Sequence, residues 1–247
     1  MKRRCLQSGV TLIELVIAIT LVSLITFGIM FAMRIGLNTL ERSNTRFIEN
    51  RRVLGVDRVM HQQLGGFIPA MAECRSGAEE PVAAVPFFQG EPVMMRFAST
   101  YSLEEGARGY PRILEYLVLP GEGGEGVRLI VNEFLYTGPA SAGFTCIGTM
   151  PGAEGPVGRF RPVEVGPKAF VLADKLSRCV FAYKEEMPDP PFERWRPDWR
   201  AKRYPSAVRI DMAPLEQDGA KLEVLPVTVS LHITRDPSVK YENKIEN

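Results

Sequence analysis

Apolar and polar positions change rhythm twice along this chain, and the changes divide it. Residues 1–9 are polar and basic, with Lys2, Arg3 and Arg4 in succession. From Val10 to Met33, 24 residues follow with no charge except Glu14. The run is apolar all round, the pattern of a helix that spans a membrane rather than one that lies on it. At about 1.5 Å per residue it reaches about 36 Å, enough to cross a hydrocarbon core of about 30 Å. Helical spacing then continues. No proline interrupts Ile35 to Leu64, and Leu37, Leu40, Phe47 and Leu54, then Val53, Val56, Met60 and Leu64, recur at intervals of three, four and seven. This predicts one apolar stripe on a continuing helix, stopped by Gly65, Gly66 and Pro69. A spine helix is therefore expected over 10–65, its transmembrane half at 10–33 and an amphipathic half beyond.

After Pro69 the period falls to two. Strands are expected at Val93–Phe97, Ile113–Leu119, Val127–Leu135, Ala169–Leu172, Cys179–Tyr183, Ala207–Met212 and Leu222–Ile233, with Pro226 marking an edge or bulge in the last. The glycine-rich stretch Pro120–Gly126 reads as a hairpin connection; with no helix pattern after it, and with Glu122 and Glu125 inside it, it does not suit phosphate. Met150–Pro167 is rich in proline and reads as an insertion or long loop. The expected fold class is α+β: the spine helix packed on an antiparallel β-sheet domain at 66–235, followed by a flexible polar tail at 236–247. Nineteen prolines and 22 glycines, mostly after Gly65, fit a turn-rich β body.

Charge and candidate chemistry alter this picture little. Net charge is +1 and falls to about −2 without Lys2, Arg3 and Arg4, which argues against nucleic acid as a partner. Arg42, Arg46, Arg51, Arg52 and Arg58 are interspersed with Glu41, Glu49 and Asp57, as on a solvated helix face. His61 falls on the spine helix and His232 in a strand, and neither accompanies a nucleophile elbow, a Walker loop or a zinc-protease helix. Glu104 with Glu105, and Glu185 and Glu186 with Asp189, could attract calcium but lack the alternating ligand spacing, so they read as solvated acids. No enzyme, cofactor or metal site is expected.

Glu14 is the sharper feature. A carboxylate inside an apolar span costs on the order of a few kcal/mol and calls for a partner. An ordinary secretory signal would have an apolar region of about 7–15 residues before a small-residue cleavage site, which Phe31-Ala32-Met33 is not. Cys5 precedes the apolar run, so it is not a lipoprotein cysteine.

Gly9-Val10-Thr11-Leu12-Ile13-Glu14-Leu15, behind a short basic leader, resembles the processing signal of type IV pilins and pseudopilins. The resemblance implies that a prepilin peptidase cuts between Gly9 and Val10 and that Val10 is N-methylated, although phenylalanine is usual there. It also implies that Glu14 meets the amine of a neighbouring subunit. Leu176–Tyr183, the pair Trp195 and Trp199, and Tyr204–Ile210 are similar to the J-type minor pseudopilins of type II secretion systems. Such a subunit would be a single-pass protein of the inner membrane, its N-terminus cytoplasmic and its C-terminal domain periplasmic. It would join the I, K and H type minor pseudopilins and the major pseudopilin in a fibre that assists protein export across the outer membrane. A minor pilin of a type IV pilus or DNA-uptake system has the same anchor, and a membrane-anchored periplasmic enzyme or binding protein is a rival of another class. The two tryptophans form an apolar plate that either caps the sheet core or faces a partner.

Three cysteines remain beyond the leader. Cys74 and Cys146 sit in loop-like contexts and Cys179 in an apolar strand, so a Cys74–Cys146 disulfide and a buried Cys179 thiol are expected.

Overall fold

The computed structural model describes residues 11–75, 77, 81–152, 155–215 and 226–233, with the backbone alone for 41–53. The leader with Cys5, Gly9 and Val10, residues Leu222–Leu225 and the tail at 236–247 lie outside the described residues. The chain divides into two compact units, residues 1–50 and 51–247. The division falls inside helix α1 (Leu12–Gly65), because the last four turns of that helix belong to the β unit.

Within the first unit α1 is continuous and, from Leu12 to Leu40, long and apolar enough to cross a membrane, consistent with single-pass anchoring. Within the second unit, Met60, Gln63 and Leu64 are buried and Val56 packs against the core. Leu54 is 60 % exposed. Of the expected stripe, Val56, Met60 and Leu64 dock on the β unit and Leu54 does not. Helix propagation ends at Gly65, and Gly66 turns the chain with its N–H donating to the Gln62 carbonyl at 2.9 Å. A Cβ on Gly66 would meet the Ser99 hydroxyl at 2.8 Å, so glycine permits the close approach that starts the sheet.

Among the described residues nine strands make one antiparallel sheet. Its main path runs β1 (Phe67–Ile68), β5 (Met94–Ser102), β6 (Ala107–Pro120), β7 (Val127–Leu135), β10 (Phe170–Glu186), β12 (Ala207–Pro214) and β13 (Val227–Ser230). Strand β4 (Gln89–Glu91) adds to β5, and β11 (Glu193–Arg196) adds to β10. Two small hairpins stand apart, β2 (Met71–Cys74) with β3 (Ala83–Pro86), and β8 (Cys146–Gly152) with β9 (Gly155–Phe160). A short helix α2 (Pro139–Gly143) precedes β8.

Alternation sorts each strand onto two faces. Met95, Phe97, Leu114, Tyr116, Leu129 and Val131 join Met60 and Leu64 in the main core, where Phe97 stacks on Tyr116 at 5.9 Å. Ala98 and Ile113 point to the other face and join Ala72, Val85 and Phe160 of the small hairpins, and Phe87 just after β3, in a second core.

Several expectations change. Ala169–Leu172 and Cys179–Tyr183 are one strand, β10, carried through bulges between Val171 and Arg178, with Lys175 in the left-handed region. Polar Asp174 and Lys175 interrupt the apolar pattern at the bulges, which is why the sequence alone suggests two strands. Met150–Pro167 is no irregular loop, because much of it forms β8 and β9. Strand β13 begins after Pro226, whose missing N–H could not join the ladder, and His232 lies just past the strand. Pro120–Gly126 does connect the β6–β7 hairpin, with Gly123, Gly124 and Gly126 all at positive φ.

Candidate functional site: the apolar span and the braces of the β unit

The helix begins at Thr11, whose carbonyl accepts from the N–H of Glu14 at 3.1 Å and of Leu15 at 3.3 Å. Glu14 stands in the first turn, where the helix dipole favours an anion. Its side chain is exposed, and the Thr11 hydroxyl lies 3.5 Å from its Oε2. The other polar side chains further along the span are satisfied internally. Thr20, Ser23 and Thr26 donate to the carbonyls of Ile17, Ile19 and Val22 at 2.9, 2.8 and 2.7 Å. Between Leu12 and Met33, Glu14 is the one ionisable side chain, and hydrocarbon would surround it unless another molecule supplied a cation.

The β unit carries its own polar braces. Arg96, 1 % exposed, donates from Nε to Glu115 Oε1 at 2.7 Å, from one terminal nitrogen to Gln89 Oε1 at 2.7 Å, and from the other to the Arg161 carbonyl at 3.1 Å. Asn132 donates to Glu115 Oε2 at 3.1 Å and to the Glu164 carbonyl at 2.7 Å, and accepts from the Gly166 N–H at 2.9 Å. Burial draws the Arg96 pKa down, and Glu115 opposes this. The network fastens Arg161–Gly166, the continuation of β9, to the sheet face turned away from α1.

Cys74, at the end of β2, is bonded to Cys146, at the start of β8, with Cα atoms 5.5 Å apart across 72 residues of chain. Cys179 is a free thiol, buried at 3 % exposure and pushed up to about 12 by burial, with Asp211 adding to the shift. Such a thiol is inert packing.

Glu185 is not a solvated acid. It is 7 % exposed, and Arg194, Arg203 and Arg196 surround it at 2.8, 3.0 and 3.5 Å. The Arg194 hydrogen bond, with Arg203 and Arg196 behind it, holds its carboxyl below the usual range against the opposing effect of burial. Glu105 pairs with Arg112, and Glu104 lies 3.6 Å from Lys168. Among the described residues no group of three or more histidine, cysteine or acidic side chains could hold a metal ion. His61 is exposed and 3.7 Å from Asp57.

The tryptophans do not form a plate. Trp199, 2 % exposed, is in the core, where its Nε1 donates to the Arg203 carbonyl at 2.7 Å. Trp195 is half-buried on β11 with the Arg209 guanidinium 4.8 Å from its ring centre. Sequence reasoning missed Arg96 and the Glu185 cage. The signal for Arg96 was a lone arginine inside the apolar run Met94–Ala98, with a lone glutamate, Glu115, inside the next run. Comparison of the chain with family models and with curated proteins returns no match.

Proposed function

We propose that this chain is a pilin-like structural subunit, a minor pseudopilin of the J type in a type II secretion system. Glu14 carries the reading: it is an ionisable group one turn inside a span whose later polar side chains, Thr20, Ser23 and Thr26, are self-satisfied. In a fibre of parallel helices the methylated amine of a neighbouring Val10 supplies the missing cation. Such a pair adds little net stability, but an unpaired carboxylate is strongly penalised, so the pair enforces register between subunits. A spine helix whose last turns enter a β-sheet core supports the pilin-like architecture. Lys2, Arg3 and Arg4 support a cytoplasmic N-terminus, and a disulfide supports an oxidising compartment for the β unit.

Prepilin peptidase would process the chain, and the I, K and H type minor pseudopilins would be its neighbours at the fibre tip. The test is co-purification from membranes of cells expressing these partners. Glu14→Ala is expected to be processed normally yet to recover about tenfold less partner, the equivalent of a lost charged contact. Undiminished recovery with Glu14→Ala contradicts the proposal.

A further inference from the structure

The two small hairpins are attached to the rest of the β unit in different ways. Among the described residues, neither β2–β3 nor β8–β9 shares a ladder with the nine-stranded sheet or with the other hairpin. The segment after β9 is fastened to the sheet by Arg96 and Asn132. At β2–β3 the ties gather at one end. The Phe87 N–H donates to the Ala70 carbonyl at 2.8 Å and closes the base of the pair, and the Tyr204 hydroxyl donates to the same carbonyl at 2.5 Å. The Tyr136 hydroxyl lies 3.5 Å from the Met71 carbonyl. At the far end, Cys74 stands opposite Ala83 and is joined to β8 through the bond to Cys146.

Side-chain packing between those ends is thin. The two strands turn Ala72, Cys74 and Val85 toward the second core, where Ala70, Ala98 and Ala142 are also buried. An alanine methyl removes little area from water, and Val85 is the largest of the three side chains the strands contribute. A two-stranded pair is marginal by itself, so the covalent bond is the chief hold on the far end. The bond can also be reached. Cys74 is fully buried, but Cys146 is half-buried at the start of β8.

We propose that Cys74–Cys146 is a redox-operated latch: reduction by a dithiol frees the far end of β2–β3, which opens about its base at Ala70 and Phe87 while the nine-stranded sheet stays folded. A thiolate of the dithiol attacks the Cys146 sulfur, the sulfur–sulfur bond breaks, and Cys74 leaves as a thiolate and takes up a proton. The second thiol of the dithiol then displaces Cys146, which is also recovered as a thiol. Two electrons pass to the protein disulfide, and the dithiol becomes a cyclic disulfide. Opening uncovers Ala98, Ile113 and Phe160, so this apolar surface meets water only in the reduced state. The latch lies wholly within residues 51–247 and does not depend on the fibre-subunit reading of the span.

The test is hydrogen exchange, read by mass spectrometry on the full-length chain in lipid nanodiscs before and after dithiothreitol, without denaturant. Iodoacetamide reports the state of the bond: after reduction it is expected to label Cys74 and Cys146 and not the buried Cys179. The amides of β2 and β3 are expected to exchange at least about tenfold faster once the bond is reduced, with those of β5, β6 and β7 changed by less than about twofold. Reoxidation is expected to restore the slow exchange. Unchanged exchange in β2 and β3 after complete reduction overturns the proposal, as does a bond that resists dithiothreitol until denaturant is added. Equal acceleration in β5, β6 and β7 overturns it too, because the bond is then a brace for the whole unit. Cys74→Ser with Cys146→Ser reads the same equilibrium without reductant: fast exchange confined to β2 and β3 supports the latch, and slow exchange there overturns it.

Discussion

Arg96 and Glu115, neighbours across β5 and β6, share a 2.7 Å hydrogen bond at a place where both side chains are almost fully withdrawn from water. A buried pair of this kind is held in place by its further partners: Gln89 and the Arg161 carbonyl for the cation, Asn132 for the anion. Such a pair adds little over an apolar alternative, but breaking it by halves leaves a buried charge without its partner.

Removing one member should therefore cost far more than removing both. Arg96→Met, which strands Glu115, is expected to lose about 3–5 kcal/mol of stability, and Arg96→Met with Glu115→Leu to recover most of it. Urea unfolding of the two variants checks this. A double variant no more stable than the single one would mean that the network contributes through its geometry and not through charge burial.

The Cys74–Cys146 bond closes a loop of 72 residues that contains β3 to β7 and α2. Loop-closure entropy makes it worth about 4 kcal/mol. Cys74→Ser is expected to lower the unfolding free energy by about that amount and to leave Cys179 unreactive toward a maleimide in the folded protein. Labelling of Cys179 without denaturant would show that the bond also holds the main core closed.

Glu185 gives the β unit an acid sensitivity of known sign. Its carboxyl is held below the ordinary value by Arg194 and its neighbours, so the unfolded chain takes up the proton first as pH falls. The stabilisation is complete above the unfolded value, about 4.3, and is lost as pH drops through the lower folded value. Glu185→Gln is expected to cost about 1–2 kcal/mol near neutrality, since the arginines are partly exposed, and progressively less in acid. Unfolding curves of both proteins across that range check it, and a gap that stays constant with pH contradicts it.

Local pattern shows where these elements can be read from sequence and where they cannot. Val127–Leu135 is a run rich in apolar and β-branched residues that follows Gly126 and precedes Thr137-Gly138, and the strand has those limits. Strand β6 extends back to Ala107, where its first residues are exposed and pair with β5 alone, so no apolar alternation marks them. Within the β unit, Val56, Met60 and Leu64 of the expected stripe of α1 meet the core, while Leu54, which shares the helical periodicity, is exposed. Trp195 and Trp199 look equivalent four residues apart. One is in a strand beside β10 and the other bridges to Gly90, which no local spacing encodes. The arginines around Glu185 come from residues 194–203, brought back by the β10–β11 hairpin, and Arg96 meets a carbonyl 65 residues away. Long-range polar partners of this sort leave single charges in unusual places, but nothing in the chain says which charges meet.

The most direct measurement is the intact mass and N-terminal sequence of the protein recovered from its native membrane. A chain that begins at Val10 and carries one methyl group on its amine is the expected result. A mature protein that still begins at Met1, or one cut on the far side of the apolar span, contradicts the fibre-subunit function.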